Sequence, residues 1–368
     1  MSDNFYSKDY GDYFRELERN NEIADQKTYT YSKNNNSTAA STKRRKTTPR
    51  IRIAPIAVFL ALVLIISSLA VALDSCGNTA VKSSKDTGVN TAKKPAENPY
   101  KAAAITENTQ VPGAEITSKY IIMVDTATNE AVVARDAYER CPPASTTKIM
   151  TVLVAAENIS DYTEKFTMTR EITDKAYLAE ATAAGFLVGE DITMTDLLYG
   201  TILPSGADAA LGLAHKIAGS EEAFVELMNK KVKQLGLKDT NFTNVTGLYN
   251  KNHYSTVSDM AVILKAAMDN DVCRQVLMAH PYTTAKNEYH PDGITLQSTL
   301  FSSMYGTEPE TATILGGKTG FVNQSGFCIA SFGTANDTKN EYICVTFGAA
   351  SKKPSVSDQI KLYAQYAK

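Results

Sequence analysis

The chain has 368 residues and a formal net charge of −2, and 43% of its residues are hydrophobic. This length accommodates two or three domains, or one large domain with additional segments. The near balance of charge argues against a general affinity for nucleic acid. Five cysteines without regular spacing do not describe a disulfide framework, and four histidines without paired ligand spacing do not describe a metal site. We therefore expect no metal and no cofactor.

Residues 1–52 are predicted to form a disordered tail. They contain many polar and charged residues and show no sustained apolar period. Aromatic residues nevertheless recur in this tail, at Tyr6, Tyr10, Tyr13, Phe14, Tyr29 and Tyr31. Two interpretations stay open: an inert tail, which we favour, and a docking segment for a cytoplasmic protein partner.

The uncharged run at residues 53–73 is predicted to be a transmembrane helix. A helix of this length spans about 31 Å, enough to cross the hydrocarbon core of a bilayer. Its flanking cations lie on the N-terminal side, which predicts a cytoplasmic N-terminus and places everything after Asp74 outside. A cleaved signal peptide is disfavoured because its charged region and its apolar core would both be too long. Cys76, just after the apolar run, is also compatible with a lipoprotein cleavage site. Asp74, two residues earlier, is a poor match for such a site, so an uncleaved anchor is favoured.

Residues 74–114, rich in Lys, Thr, Ser, Ala and Asn, are predicted to be an extracytoplasmic linker, and residues 115–368 an ordered domain. The predicted strands of this domain are 118–124, 130–134, 325–332 and 341–347. The predicted helices begin at Ser145 and near residues 194, 205, 220, 258 and 354, with Ser220 and Ser258 as N-caps. Strands at both ends of the domain with helices between them predict one sheet assembled from both ends.

Residues 142–157 carry the first candidate chemistry. Two prolines end the preceding segment, and a helix begins at Ala144 or Ser145. From Lys148 onward this helix is apolar almost all round, which is typical of a helix in the middle of a domain. Ser145 and Lys148 are three residues apart and share one face, so they form a candidate nucleophile and base. The motif alone is weak, since Ser-x-x-Lys occurs by chance and a serine at a helix start is more often a cap.

Two later segments supply partners for this motif. Leu203-Pro204-Ser205-Gly206-Ala207 places a second serine at another helix start. Gly316-Gly317-Lys318-Thr319-Gly320-Phe321 leads into the last strand pair, and its glycines allow a ligand to lie close to the backbone. Ser-x-x-Lys, a serine-led turn and Lys-Thr-Gly on a strand, in this order, form a specific set.

With these motifs the sequence resembles the serine D-alanyl-D-alanine carboxypeptidases, the low-molecular-mass penicillin-binding proteins. The likeness runs from about residue 115 to the C-terminus and includes further segments at 143–151, 188–190, 196–198, 235–237, 246–248 and 253–256. It implies the α/β (α+β) class and the penicillin-recognising serine-hydrolase fold, an antiparallel sheet covered by helices plus a helical lobe. It also implies the peptidoglycan pentapeptide stem as substrate, β-lactams as covalent inhibitors, and a catalytic domain outside the bacterial cell membrane.

The resemblance assigns a role to each site residue. Ser145 attacks the carbonyl between two D-alanines and forms an acyl-enzyme, and Lys148 is its base, with a pKa lowered by burial, the helix start and Lys318. The N–H groups of Ser145 and Phe321 stabilise the oxyanion. Lys318 and Thr319, beside Gly320, hold the terminal carboxylate. Ser205 relays a proton to the departing D-alanine.

Ala207 departs from the family pattern, which usually has Asn at this position to contact the substrate carbonyl and the catalytic lysine.

Two alternatives to a carboxypeptidase stay open. A class A β-lactamase shares the three motifs but needs a glutamate-led loop, which we do not find between Ser205 and Lys318. A weakly active or non-catalytic wall-binding protein is the second. His253 and Tyr254 are interpreted as structural residues.

Overall fold

A computed structural model of the chain describes residues 98–368. The predicted tail, the predicted transmembrane helix at 53–73, Cys76 and most of the predicted linker lie outside the described residues. None of the helices between residues 98 and 368 is long and apolar enough to cross a membrane.

A five-stranded antiparallel sheet forms the centre of the domain. Its strands are β1 (Tyr120–Asp125), β2 (Glu130–Arg135), β7 (Ala312–Val322), β8 (Gly326–Ala335) and β9 (Glu341–Ala349). They lie in the order β2-β1-β9-β8-β7. Two small hairpins add β3 (Lys165–Thr167) to β4 (Asp191–Thr193) and β5 (Tyr282–Thr283) to β6 (Thr295–Leu296). Because β1 pairs with β9, the first and last strands lie side by side, which confirms a sheet assembled from both ends.

Nine α-helices occur between residues 98 and 368. They are α1 (Thr147–Asn158), α2 (Arg170–Leu178), α3 (Met194–Ile202), α4 (Ala207–Ala218), α5 (Glu221–Gln234), α6 (Val257–Met268), α7 (Asp271–Met278), α8 (Thr299–Met304) and α9 (Lys352–Tyr366). Residues 147–156 of α1 are all buried, as its apolar sequence predicts.

The two faces of the sheet are covered by different helices. Ile121 and Met123 of β1 point to one face and pack with Tyr363 of α9. Ile122 and Val124 point to the other face and join the large core around α1 and α6. This alternation follows from the two-residue period of a strand. Helix α6 covers this second face of the sheet, and α1 packs between α6 and the helices α3 to α5.

The start of α6 differs from its prediction. Thr256, not Ser258, is the N-cap, and its hydroxyl accepts a hydrogen bond from the Asp259 N–H at 2.9 Å. Ser258 is the second residue of the helix, and its hydroxyl is buried without a hydrogen-bond partner. The prediction of Ser258 as a cap was wrong because Thr and Ser are both good caps and lie two residues apart. The N-cap role of Ser220 is confirmed.

Residues 98–114, which the sequence places in a linker, pack along the edge strand β2. Ala104 and Gln110 form parallel bridges to Glu130 and Val133. The Arg135 guanidinium donates to four carbonyl groups of this region, those of Pro112, Gly113, Ile116 and Ser118. These contacts extend the ordered chain beyond the expected start at residue 115, because a polar segment can pair its backbone with a strand edge without an apolar pattern of its own.

Candidate active site

The Ser145 turn begins with a strained residue. Ala144 has φ +50°, a left-handed conformation that costs a non-glycine residue about 1–3 kcal/mol. Residues Ala144–Thr146 form a 3-10 turn, and α1 itself begins at Thr147. Lys148 then lies one turn after Ser145, and its Nζ is 3.2 Å from Ser145 Oγ. The predicted pair is therefore in contact at the buried end of α1.

Two glycines enclose the peptide bond that precedes Ser145. At Gly247, which has φ +84°, an added Cβ would lie 1.9 Å from the Ala144 carbonyl oxygen. At Gly320 on β7, an added Cβ would lie 2.7 Å from the Ser145 nitrogen. Only residues without a side chain allow this approach from both sides, so the backbone of the serine turn is fixed between the two segments.

Lys148 is buried, with 2% of its surface exposed. Its Nζ donates to the Thr246 carbonyl oxygen at 2.6 Å. Burial lowers the pKa of Lys148 to about 7, although the nearby Asp208 carboxylate acts in the opposite direction. A lysine with this pKa is partly neutral near neutral pH and can accept a proton from the adjacent hydroxyl.

The Lys-Thr-Gly segment lies within β7. Lys318 is 1% exposed, and burial together with the charge of Lys148 lowers its pKa well below the usual value. Its neighbour Thr319 faces the other side of the strand, as the two-residue period requires, and its hydroxyl lies 2.8 Å from the Thr299 hydroxyl on α8. Phe321 is half exposed and lies against Phe327, with ring centroids 4.5 Å apart.

Ser205 lies at the turn before α4 and has φ +66°. It is not the N-cap of that helix, which is Gly206. Ala207 is buried, and its N–H donates to the Thr182 carbonyl at 2.7 Å. The Asp208 carboxylate accepts hydrogen bonds from the N–H groups of residues 184–186, so the turn and this loop form one rigid wall.

These walls surround a cavity of about 410 Å³. It is lined by six of the seven predicted site residues, namely Ser145, Lys148, Ser205, Thr319, Gly320 and Phe321. Lys318 is the exception: it is buried, with 1% of its surface exposed, and is not among the lining residues. The structure therefore brings the three motifs together, while the chemical role of each residue stays a prediction.

The other lining residues were not identified from the sequence as site residues, and three of them bring polar or charged groups that bear on the chemistry. Thr246 supplies the carbonyl group that accepts from Lys148, and Glu180 and Lys352 bring charged side chains to the cavity. The Thr246-Gly247 dipeptide was noted only for its family likeness. Nothing in the sequence marks Glu180 or Lys352, because their place depends on how α2 and α9 pack.

His253 supports the first turn of α1. Its Nδ1 accepts the Thr243 N–H at 3.0 Å, so the proton is on Nε2, which donates to the Thr147 hydroxyl at 2.8 Å. Burial lowers the pKa of His253 to about 4, so the ring is neutral near neutral pH. His253 lies outside the lining of the cavity and acts as the structural residue that the sequence predicts.

Comparisons with known proteins point to one family. The sequence model of peptidase family S11, described as D-alanyl-D-alanine carboxypeptidase, matches residues 105–351. The D-alanyl-D-alanine carboxypeptidase DacF of Bacillus subtilis is 29% identical over 255 residues, which are 68% of this chain and 63% of that protein. DacB2 of Mycobacterium tuberculosis is 32% identical over 204 residues, 55% of this chain and 65% of the relative. The matched region thus spans less than two thirds of each of these two relatives.

Solved structures agree with the sequence comparisons. The Streptomyces K15 DD-transpeptidase superposes with a TM-score of 0.60 at 28% identity, covering 70% of this chain and 99% of that one. Penicillin binding protein 5 of Haemophilus influenzae gives a TM-score of 0.60 at 27% identity, covering 69% of this chain and 71% of that one. The predicted penicillin-recognising fold is confirmed.

Proposed function

The chain belongs to the D-alanyl-D-alanine carboxypeptidase family, and on this premise we propose that it removes the terminal D-alanine from peptidoglycan pentapeptide stems. One observation carries the proposal. The Ser145 hydroxyl lies 3.2 Å from a lysine amine whose pKa burial lowers to about 7. This arrangement gives the serine an adjacent base that is partly neutral near neutral pH.

Acylation follows from this contact. Neutral Lys148 takes the hydroxyl proton as Ser145 Oγ bonds to the carbonyl carbon between the two D-alanines. The N–H groups of Ser145 and Phe321 stabilise the oxyanion. The C–N bond then breaks, Ser205 passes the proton to the departing amine of D-alanine, and the acyl group stays on Ser145. Water hydrolyses this ester and restores the free serine.

The terminal carboxylate of the substrate is held on the β7 side of the cavity. The Thr319 hydroxyl contacts it directly, and the buried Lys318 supplies positive charge nearby. An arriving carboxylate raises the pKa of Lys318 and favours its protonated form. A charged Lys318 in turn keeps Lys148 neutral, so substrate binding prepares the base.

A β-lactam enters the same reaction, because its amide carbonyl takes the place of the scissile bond and leaves a covalent label on Ser145.

We further propose that residues 53–73 anchor the chain in a bacterial cell membrane, with the catalytic domain outside. The support for this anchor is the 21-residue uncharged run and the cations that precede it.

Release of D-alanine tests the proposed activity. The purified full chain should release D-alanine from a pentapeptide ending in D-Ala-D-Ala and take up one penicillin per molecule, found by mass spectrometry on the Ser145 peptide. Ser145→Ala should lose both activities, whereas Ser357→Ala, on α9 outside the cavity, should keep them. Nitrocefin turnover without D-alanine release would indicate a β-lactamase instead. A stable label without any turnover would indicate a non-catalytic penicillin-binding protein.

A further inference from the structure

The segment 242–249, which borders the catalytic serine and lysine, is held in place by side chains. It contains no helix or strand, and no backbone–backbone hydrogen bond joins it to other parts of residues 98–368. Five of its N–H groups donate instead to the side chains of Glu221, Asn229, Asn244 and His253. These side chains therefore decide where the carbonyl groups of the segment point.

Asn244 makes more of these contacts than the other three side chains. Its Oδ1 accepts from the Gly247 N–H at 2.7 Å, the Thr246 N–H at 3.2 Å and the Thr246 hydroxyl at 3.1 Å. Its Nδ2 donates to the Leu248 carbonyl at 2.9 Å. Three donors thus face one end of the amide and a carbonyl faces the other, which fixes the orientation of the amide. One half-buried side chain holds the backbone of the whole turn from 244 to 248.

This turn contacts both the serine and the lysine. Gly247 lies against the peptide bond that precedes Ser145. The Thr246 carbonyl accepts from Lys148 Nζ at 2.6 Å, and Nζ lies 3.2 Å from Ser145 Oγ. A neutral amine has two N–H bonds and one lone pair. Because the carbonyl fixes one N–H bond, it restricts the directions in which the lone pair can point.

We propose that Asn244 is a positioning residue for acylation, because it holds the Thr246 carbonyl where this group directs the Lys148 lone pair at the Ser145 hydroxyl. This inference rests on the proposed function and adds to it a residue that touches none of the reacting atoms. Asn244 is not among the described residues that line the cavity. Its loss should therefore slow proton transfer and leave the substrate-binding side chains unchanged.

Asn244→Ala should lower the rate of acylation at every pH. The Thr246 carbonyl is then free to turn, and the second-order rate constant for penicillin should fall roughly tenfold to a hundredfold, as for other small misplacements of a reacting group. The maximal rate reached above the pKa of Lys148 should fall as well, because the defect lies in orientation and not in protonation.

The midpoint of the pH–rate profile separates positioning from general damage to the site. The carbonyl stabilises the protonated amine, so its loss should move the midpoint below the wild-type value of about 7. Asp208 and Lys318, the titratable groups that interact with Lys148, are unchanged in the variant. A site that merely opens to water would instead move the midpoint up, toward the ordinary lysine value of 10.5.

Two further variants complete the test. In Asn244→Ser a hydroxyl can close a similar turn, but it is shorter and cannot donate to the Leu248 carbonyl in the same way. Its acylation rate should lie between those of the alanine variant and the wild type. Asn229→Ala is the matched control, because this side chain makes two hydrogen bonds to the Phe242 backbone of the same segment, at 2.8 and 3.0 Å. It should lower stability to denaturant and leave the rate and its midpoint unchanged.

Equal acylation rates for Asn244→Ala and the wild type would overturn the positioning role and leave the proposed function standing. A midpoint that moves up, or a serine variant as slow as the alanine variant, would overturn it as well. If the alanine variant does not fold, a serine variant with the wild-type rate would overturn it. A wild-type chain that neither takes up penicillin nor releases D-alanine would overturn the proposed function and this inference with it.

Discussion

The buried side chains of Lys148 and Lys318 lie close enough that the charge on Lys148 lowers the pKa of Lys318. Two ammonium groups in one water-excluded site repel each other, so the pair resists holding both protons. Burial acts in the same direction on each amine. Burial therefore leaves the Lys148 amine, beside Ser145, partly neutral near neutral pH.

The rate of acylation should depend on pH through Lys148. Only the neutral amine accepts the serine proton, and its pKa is lowered to about 7. The second-order rate constant for penicillin should therefore rise about tenfold per pH unit below 7 and level off above it. Stopped-flow or quenched labelling between about pH 5 and 9 measures this. A rate that is flat across the range, or that still rises steeply at its upper end, would contradict the lowered pKa.

Replacing Lys148 by a neutral residue of similar length should abolish activity and raise the free energy of unfolding. The pKa of Lys148 is about 7 in the folded chain and near 10.5 in the unfolded chain. Between these two pH values the amine is mostly protonated in the unfolded chain and mostly neutral in the folded one. The free energy of unfolding therefore falls as the pH drops from 10.5 to 7. At pH 7 the buried lysine lowers the free energy of unfolding by roughly 4–5 kcal/mol. Lys148→Met removes it but leaves the Thr246 carbonyl without its donor, at about 1–3 kcal/mol.

The net expectation for Lys148→Met is a gain of about 2 kcal/mol at pH 7 together with nearly complete loss of penicillin labelling. Denaturant unfolding at pH 7 and at about pH 10 measures the stability, and the gain should disappear at the higher pH. A variant that is labelled at the wild-type rate would exclude Lys148 as the base.

Gly320→Ala should slow acylation without removing a functional side chain. The new methyl group would meet the Ser145 nitrogen at 2.7 Å and the Thr146 nitrogen at 3.1 Å, and backbone atoms cannot move aside cheaply. Displacement of the serine turn should reduce the acylation rate by roughly a hundredfold, as misplacement of about 1 Å does in other active sites.

Gly306→Ala is the matched control for this change. Gly306 has φ +71° and no atom within 4 Å of an added Cβ, so the substitution should cost about 1 kcal/mol of stability and leave labelling unchanged. Equal acylation rates for Gly320→Ala and the wild type would show that the serine turn is free to shift away from β7.

Ala207→Asn should raise turnover of a pentapeptide. The family amide at this position makes a hydrogen bond worth about 1–3 kcal/mol, hence roughly ten- to a hundredfold in rate if it forms in the transition state. Acylation does not require that amide, so the wild type should be an active but slow enzyme. Ala207 is 1% exposed, so the larger side chain must enter the cavity to act.

Ala207→Ser, too short to reach the substrate, should give no such gain. Unchanged or lower turnover in a well-folded Ala207→Asn protein would mean that the site is built around alanine.

The anchor proposed at residues 53–73 predicts a defined topology. Protease added to intact cells should remove the domain that follows residue 74 and leave an epitope placed in the first 50 residues protected. Permeabilised cells, in which both parts are accessible, provide the control. Protection of the catalytic domain in intact cells would contradict the orientation.

The elements that hold the serine site were predictable where a strong local pattern agreed with the tertiary structure. The buried helix after Ser145 and the two strand pairs carry apolar periods that few other structures satisfy. The strand β7 was only partly predicted, because three glycines in its middle disfavour a strand until Ser145 and β8 are packed against it. The position of Glu180 in the cavity lining could not be predicted, since it depends on where α2 ends and how this helix packs.

The pairing of β1 with β9 has a consequence for how the protein acquires activity during synthesis. Ser145 and Lys148 emerge from the ribosome together. Strand β7, which forms the opposite side of the active site, is synthesised much later. Strand β1 can pair with β9 only when β9 is complete. Contacts of such long sequence range make folding slow and leave unpaired strand edges exposed in the meantime. A partly synthesised chain therefore contains the nucleophile and the base but no oxyanion site, and reactivity toward penicillin should appear abruptly once the last strand has paired.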